Sequence, residues 1–349
     1  MPLQDNVKEK ISIEIIRTLV GRFGTFPDDV STNRNAPFHE AFLKAFSNKL
    51  GKDNINPQIL ISLSSWLHGL NTTLGQQFFE KVAHILSGGA KRAFTNEKIS
   101  RKQKSAISDI ITNLKNSDND VVPNMIEEDE LIESCAEPAD DIEATNFSAD
   151  VFIQDDDSIV AIELKTVKPN SGVLKEEKQK ILEAKAVLRR LYPDKKVSYY
   201  IGFPFDPTVV EGEDECSFDK KKFWTNIVEG DKYFHDDEVL IASGLWDLLS
   251  GEKNTMQQLL ELINRISTVE FIDIFEKIRN PKDDVKDDDY AKLLENWNLF
   301  SELSLHSNKE KILSAIKGNK RLIRSYYNPC MKEDGSYNEK RYNDLKSFI

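Results

Sequence analysis

The stretch that decides the fold is SADVFIQDDDSIVAIELK, from Ser148 to Lys165. Two short segments within it, 148–154 and 159–166, alternate apolar and polar side chains on either side of an acidic centre. Alternation with a period of two, broken by turn-forming residues, predicts a β-hairpin. Aspartates are common in two-residue hairpin turns, so we place the turn at Asp156 and Asp157.

This turn fixes which side chains of the hairpin share a face, because successive side chains of a strand point to opposite sides. One face is wholly apolar, and its predicted pairs are Val151–Ile162, Ile153–Val160 and Ala149–Leu164. The register therefore buries that face. On the other face Asp150 lies opposite Glu163, and Lys165 follows on the same side.

Two carboxylates directly opposed in a hairpin, roughly 4.5–5.5 Å apart at the β-carbons, repel each other and require a compensating cation. A hard divalent ion suits oxygen ligands, and Mg²⁺ is typically held by one or two carboxylates together with a substrate phosphate. Lys165 can orient or deprotonate a water or stabilise developing negative charge. The pattern favours metal-dependent phosphodiester hydrolysis. The alternative is a surface hairpin with scattered charges.

The two strands resemble the motif of the PD-(D/E)XK nuclease superfamily. The matching segments are Ser148-Ala149-Asp150 and 161–165, with alanine where the motif has proline. In that fold a helix precedes the hairpin, and a helix and a strand follow it. The spacing of apolar residues in 172–191 predicts the helix that follows the hairpin, and the segment 197–203 predicts the strand. The resemblance implies an α/β fold with a restriction-endonuclease-like core, in which helices flank a central mixed sheet and further helical regions lie at both ends.

The resemblance also implies a role for each residue of the motif. Asp150 and Glu163 would be metal ligands, joined by the carbonyl of Leu164, and Lys165 would lie beside the attacking water. The implied cofactor is Mg²⁺, and the implied products carry 5′-phosphate and 3′-hydroxyl ends.

Many members of the superfamily add a carboxylate from the helix that precedes the hairpin. The candidate is Glu80, in LGQQFFEKVAHIL from Leu74 to Leu86. The apolar residues of this segment form one stripe, whereas Gln76, Glu80 and His84 form another line at a spacing of four. An exposed glutamate on an ordinary amphipathic helix is the alternative for Glu80, and His84 is expected to be an ordinary polar neighbour.

Within the superfamily the chain is most similar to Type II restriction endonucleases. It has 349 residues and a single catalytic motif, and it lacks the G-x-x-x-x-G-K-[ST] loop of an ATP-driven subunit. Three segments resemble restriction enzymes that cut at GGNCC, namely 25–42, 63–86 and 244–251. Cutting both strands of a palindromic site requires a two-fold arrangement, so we expect a homodimer. The cognate DNA methyltransferase is expected to be a separate protein.

The charge of the chain is uneven. Its net charge is −12, which by itself argues against a general nucleic-acid binder. Residues 117–143 include no Lys or Arg, whereas 91–104 and 164–196 are basic. The basic face of a helix over 172–191 predicts contacts to the phosphates of double-stranded DNA, with four candidate residues, Lys168, Lys175, Lys178 and Lys185.

Composition bounds the class of protein. Hydrophobic residues make up 39% of the chain, enough for a real core. No apolar run reaches the ~18 residues of a membrane span, so we expect no membrane partner. The three cysteines lie far apart, which favours a reducing compartment and a cytoplasmic protein.

The pattern of elements predicts three regions. They are an N-terminal helical region (1–118) that includes Glu80, a catalytic core (119–250) and a C-terminal helical region (251–349). Helices are predicted over 6–20, 38–50, 58–70, 73–86, 96–114, 172–191, 245–249 and 255–278, with strands over 148–154, 159–166, 197–203 and 239–242. The acidic run is predicted as a linker or an edge. Two other functions remain open at this point. One is a DNA repair or structure-specific nuclease of the same fold, and the other is a non-catalytic DNA-binding module.

Overall fold

The structure is a computed structural model that describes residues 1–27, 43, 57–116, 121–137, 139–166, 171–227, 230–281 and 287–349. The predicted helix 38–50 lies outside the described residues except at position 43, and so does Lys168. The chain forms two compact units. The first comprises Met1–Leu3 and Phe79–Gln258, and the second comprises Gln4–Phe78 and Leu259–Ile349. These units divide the chain differently from the three predicted regions.

The helices, in chain order, are α1 Asp5–Phe23, α2 Pro57–Thr73, α3 Phe79–Ser87, α4 Arg101–Asn116, α5 Met125–Ser134, α6 Ser171–Leu191, α7 Lys220–Asn226, α8 Ser243–Ser250, α9 Thr255–Ile266, α10 Phe271–Arg279, α11 Asp287–Asn296, α12 Phe300–Ser307, α13 Lys309–Ala315, α14 Lys320–Tyr327 and α15 Glu339–Leu345. A π-helical turn, Leu74–Phe78, lies between α2 and α3, and 3₁₀ turns occur at Asp236–Glu238 and Lys346–Phe348. Among the described residues, no helix is both long and apolar enough to cross a bilayer.

The first unit is built on a mixed sheet. The described strands are β1 Ala90–Phe94, β2 Lys98–Ser100, β3 Asp141–Glu143, β4 Phe147–Gln154, β5 Ser158–Leu164, β6 Lys196–Phe203 and β7 Val239–Ile241. Five of them form one sheet in the order β1-β4-β5-β6-β7, and β2 pairs with β3 separately. The β1–β4–β5 pairs are antiparallel, whereas β5, β6 and β7 are parallel. This mixed sheet with flanking helices confirms the predicted α/β class.

The hairpin of β4 and β5 has the predicted register. The observed pairs include Val151–Ile162 and Ile153–Val160. The amide of Asp155 donates to the carbonyl of Ser158 at 3.0 Å, which leaves Asp156 and Asp157 as the two-residue turn. Local alternation and turn chemistry were sufficient to set this register because both act over a few residues.

Helix α6 packs against β6 on one side and contacts α4 and α5 on others. Eight consecutive residues, 181–188, are buried. The helix ends at Leu191, two residues before Pro193. Proline disfavours helical backbone at the residue that precedes it, so helices usually end there or earlier. The second half of the helix is therefore buried on all sides, and only the first half and the last residues have exposed or half-buried positions.

The acidic run, predicted as a linker or an edge, holds a helix and an edge strand in its described part. Residues 125–134 form α5, whose first turn is capped by the Asn124 side chain, which accepts from the amides of Ile126 and Glu127. Beyond it, β3 pairs with β2, which occupies Lys98–Ser100. The helix predicted over 96–114 therefore begins only after this strand, at Arg101. Acidic composition alone does not distinguish a solvated linker from a helix whose carboxylates find buried lysine partners.

Two further boundaries differ from prediction. Strand β1 lies in the basic stretch 91–104 and pairs with β4 at the edge of the sheet. The long helix predicted over 255–278 is two helices, α9 and α10, separated at 267–270. Both differences depend on long-range packing, which a local period does not encode.

The second unit is helical. Within it α1 contacts α12, and the Glu9 carboxylate accepts from both the amide and the hydroxyl of Ser301 at 2.7 Å. Its C-terminal part has a small core cluster of five buried residues, Leu305, Ile312, Ile316, Leu322 and Leu345. A buried ion pair joins Arg341 to Glu302.

Candidate active site

Asp150 is held from three directions on β4. One carboxylate oxygen, Oδ2, accepts from the amide of Leu164 at 3.0 Å, and the other, Oδ1, accepts from Nζ of Lys91 at 3.0 Å. The backbone carbonyl of Asp150 lies 2.7 Å from Nε2 of His84. His84, predicted to be an ordinary polar neighbour, therefore fixes the backbone of this strand.

Glu80 reaches the same place through Lys91. The Lys91 ammonium lies 3.1 Å from Oε2 of Glu80 and 3.0 Å from Oδ1 of Asp150. Burial favours a lower pKa for Lys91, but its hydrogen bonds to the two carboxylates outweigh this effect and raise the pKa. Lys91 is therefore a cation bridging two acids. The predicted pair Glu80 and Asp150 is brought together by a lysine that sequence reasoning did not single out.

A second ionic network surrounds Glu163. Nζ of Lys165 lies 2.8 Å from Oε1 of Glu163 and 2.8 Å from Oε1 of Glu177 on α6. Lys180, three residues after Glu177, lies 3.0 Å from Oε1 of Glu163 and also pairs with Glu177. Two carboxylates and two ammonium groups thus alternate around one another. The structure brings the predicted Glu163 and Lys165 together and adds two residues from the following helix.

The ionisation of this second network is set by competition between burial and pairing. Burial favours a lower pKa for the Lys165 amine, but Glu163 and Glu177 raise it above its usual range. Burial would raise the pKa of Glu177, yet hydrogen bonds from Lys165 and Lys180 bring it below the usual value. Both groups are therefore charged at neutral pH, and Lys165 acts as a cation in this arrangement and not as a neutral base.

Tyr199 is influenced electrostatically by both networks. Its pKa is raised by burial and then by the carboxylates of Glu163, Asp150 and Glu177. Its hydroxyl donates to the carbonyl of Ser148 at 3.3 Å. All three acids are close enough to Tyr199 to disfavour ionisation of its phenol. Tyr199, on β6, is itself buried.

The donor set suits a hard cation. The two networks together hold four carboxylates and three ammonium groups, a net charge of −1; the acids are Glu80, Asp150, Glu163 and Glu177, and the bases are Lys91, Lys165 and Lys180. Among the described residues, no three His, Cys, Asp or Glu side chains already converge as a metal site. Mg²⁺ keeps several waters and needs only one or two protein carboxylates, so Asp150 and Glu163 with the carbonyl of Leu164 fit it.

The predicted phosphate-binding lysines of α6 are placed differently. Lys178 is 0% exposed, with its ammonium 2.6 Å from both Glu128 and Glu238. Lys185 is 2% exposed and lies 2.6 Å from Asp129. Neither side chain is on an exposed face, which corrects the prediction of phosphate contacts for these two. The physical reason is that α5, from the acidic run, covers that side of α6. Lys175 remains half-buried on the same helix.

The functional candidates that sequence reasoning missed come from separate elements. Lys91 belongs to the unpredicted strand β1, and the signal available was only its place in the basic stretch 91–104. Glu177 and Lys180 stand three residues apart on a correctly predicted helix, which is the spacing of an ordinary helical ion pair. Their approach to Glu163 depends on how α6 packs against the sheet.

A mixed sheet with opposed carboxylates and a lysine on its antiparallel hairpin defines the class as a nuclease of restriction-endonuclease-like fold. The family model described as Type II restriction endonuclease, HinfI, matches residues 3–267. The Type II restriction enzyme MjaII of Methanocaldococcus jannaschii is 43% identical over 360 residues, an alignment that covers 98% of this chain and 96% of the relative. The chain belongs to the HinfI family of Type II restriction endonucleases, and it is a site-specific endonuclease whose substrate is DNA.

Proposed function

We propose that this enzyme hydrolyses phosphodiester bonds of double-stranded DNA in a Mg²⁺-dependent reaction at the site formed by Asp150, Glu163 and Lys165. The observation that carries the proposal is the placement of two strand carboxylates and a charged lysine on one face of the hairpin. The lysine is tied to Glu163 and Glu177 at 2.8 Å each.

Asp150, Glu163 and the carbonyl of Leu164 would hold the metal. Bound there, a divalent ion supplies polarisation of the scissile phosphate and a lower pKa for a coordinated water. The Lys165 ammonium, oriented by its two glutamates, is positioned to hold the attacking water or to stabilise the charge that develops on the phosphate. His84 and the Leu164 amide keep Asp150 in place while substrate binds.

Glu80 acts in this proposal through Lys91. By holding the ammonium 3.0 Å from Asp150, it keeps the first carboxylate compensated before a metal and a phosphate arrive. Lys175 is retained as a phosphate contact, because charge neutralisation by lysine is the main sequence-independent term in DNA binding.

The target sequence, assembly and partner follow from the same line of argument. We propose cleavage at GGNCC, supported by the similarity of segments 25–42, 63–86 and 244–251 to enzymes with that target. A homodimer would present two sites to the two strands of a palindrome. A separate methyltransferase would protect the host site. The products would be 5′-phosphate and 3′-hydroxyl ends.

The test is incubation with a long DNA of known sequence, with Mg²⁺ and with EDTA, followed by mapping of the ends. Discrete Mg²⁺-dependent bands ending within GGNCC are expected. Asp150→Asn and Lys165→Ala should each reduce the rate at least ~100-fold, the scale of losing one charge-stabilising group. Asp156→Asn, the same change in the exposed turn, is the matched control and should cleave at the wild-type rate.

Other outcomes would redirect the assignment. Wild-type rates in Asp150→Asn or Lys165→Ala, with folding intact, would refute the site. A smear or selective nicking of branched DNA would favour a repair or structure-specific nuclease. No cleavage with any divalent metal would favour a non-catalytic DNA-binding module.

A further inference from the structure

A basic surface lies near the C-terminus, outside the catalytic core. From Lys311 to Tyr327 the chain carries five cations and no Asp or Glu, although the net charge of the whole chain is −12. All five side chains are exposed; they are Lys311, Lys317, Lys320, Arg321 and Arg324. We call this set the α13–α14 basic surface.

Two short helices present this surface. Residues 316–319 form the turn between α13 and α14, and Gly318 in that turn has φ +93°, a conformation that favours glycine. The side chain of Asn319 then caps α14 by accepting from the amide of Leu322 at 3.2 Å. The surface therefore consists of two short helices joined by a four-residue turn that contains a glycine.

The two sides of α14 have opposite chemistry. Leu322 belongs to the buried cluster of the second unit, and Tyr326 packs against that cluster. On the solvent side, Lys320, Arg324 and Tyr327 follow one another at spacings of four and three, so they form one row. Tyr327 is 71% exposed. The helix is therefore anchored by its apolar side and displays its cations and one aromatic ring.

Three cations of the α13–α14 basic surface have no ion partner among the described residues. Arg321 lies 3.4 Å from Asp344, whereas Lys317, Lys320 and Arg324 form no ion pair with any residue of the described ranges. Lys320 and Arg324 are four residues apart, and like charges at that spacing destabilise a helix. An arrangement that opposes helix stability and has no ion partner among the described residues points to an external polyanion.

We propose that the α13–α14 basic surface binds the phosphate backbone of duplex DNA and provides a second contact outside the catalytic core. The proposal rests on the DNA-cleaving function assigned above. The DNA that the enzyme cuts carries a phosphate charge about every 1.7 Å of helix axis, which complements the exposed cations of this surface. The surface lies beyond residues 3–267, the part matched by the family model.

The test measures binding of duplex DNA by fluorescence anisotropy in EDTA, so that no strand is cut, between 50 and 200 mM salt. The variant is K317A/K320A/R324A in the full chain, and duplexes with and without the cleavage sequence are compared. Each lost phosphate contact lowers the slope of log Kd against log salt by ~0.9. Three contacts should lower it by about 2.7, so the ratio of Kd at 200 mM to Kd at 50 mM should fall ~40-fold.

Two controls separate local contact from total charge. K253A/R265A/K277A removes the same charge from three exposed positions. Lys253 lies just before α9, Arg265 lies on α9 and Lys277 lies on α10. This variant should keep the wild-type slope. The charge-conserving variant K317R/K320R/R324K should also keep it. Equal losses in K317A/K320A/R324A and K253A/R265A/K277A would overturn the proposal, and so would a loss confined to the duplex with the cleavage sequence, since backbone contacts are independent of sequence.

Cleavage by the wild type distinguishes this proposal from the proposed function. A wild type that cuts DNA, together with K317A/K320A/R324A that binds with unchanged slope, would overturn the surface alone. A wild type that neither binds nor cuts duplex DNA would overturn both. A reduced slope with an unchanged cleavage rate at saturating DNA would support the surface as a docking site that takes no part in the chemistry.

Discussion

Replacing Lys178 by methionine tests whether the lysines of α6 stabilise the fold or contact DNA. The ammonium is fully buried and lies 2.6 Å from the carboxylates of Glu128 and Glu238. Methionine has a similar length and tolerates contact with the ring of Phe234, which lies 5.5 Å from the ammonium. The substitution therefore removes the charge with little change of volume.

The expected loss is large because two acids remain without their partner. Breaking a buried ion pair by removing one member costs ~3–5 kcal/mol of unfolding free energy. A surface substitution usually changes it by less than ~0.5 kcal/mol. Lys175→Met, three residues earlier on the same helix and half-buried, is the matched control and should cost little.

The loss should depend on pH with a definite sign. Burial already raises the pKa of Glu128 above its usual value, and the nearby Lys178 partly offsets this. Without Lys178 the folded-state pKa rises further. A raised acid pKa gives stability below the unfolded value that is lost as pH rises through the folded value. The deficit of Lys178→Met should therefore be greatest near pH 8 and shrink toward pH 4.5.

The measurement is urea unfolding followed by circular dichroism at several pH values, together with DNA binding at two salt concentrations. Lys178→Met should lose stability and keep the wild-type salt dependence of binding, whereas Lys175→Met should show the reverse. A loss of stability below ~1 kcal/mol, with a weaker salt dependence, would refute the structural role of Lys178 and restore it as a phosphate contact.

Three further changes address other parts of the molecule. Glu177→Gln should slow cleavage roughly 10- to 100-fold, the usual scale for residues that orient a site, because Lys165 loses a charged partner; an unchanged single-turnover rate would contradict this. Gly335→Ala should destabilise the chain more than Gly318→Ala in thermal unfolding. Both glycines have positive φ, but only at Gly335 would the new Cβ lie 2.9 Å from the backbone of α1. An equal decrease of the melting temperature in the two variants would count against that clash. Burial raises the pKa of the Cys330 thiol to about 12. Iodoacetamide at pH 8 should therefore label Cys330 only after unfolding, whereas the other two cysteines should be labelled in the native protein. Rapid labelling of Cys330 in the native protein would show that the thiol is accessible.

The hairpin was predictable because its determinants are local. The alternation of 148–154 and the aspartates of the turn act within a few residues, so they were sufficient to predict the register of β4 against β5. The fold class followed from the order of helix, hairpin, helix and strand, each with a clear period. Glu80 could be proposed from its place on the preceding helix, although its link through Lys91 could not.

Other features depended on which elements meet in space. A run of acidic residues has the same composition whether its side chains face water or buried lysines. The formation of α5 and its ion pairs with α6 could therefore not be predicted from the local sequence. The same is true of basic residues on α6, which became internal counterions where phosphate contacts were predicted.

The sequence by itself determined the α/β class, the hairpin register and the proximity of Glu163 to Lys165. Tertiary structure alone decided that Lys91 bridges Glu80 and Asp150, and that Glu177 and Lys180 surround Glu163. It also decided that Lys178 and Lys185 lie inside. The physical reason is the separation along the chain over which each determinant acts. Side-chain period and turn chemistry act over neighbouring residues, whereas the partner of a charged side chain is chosen by packing between elements that are distant along the chain.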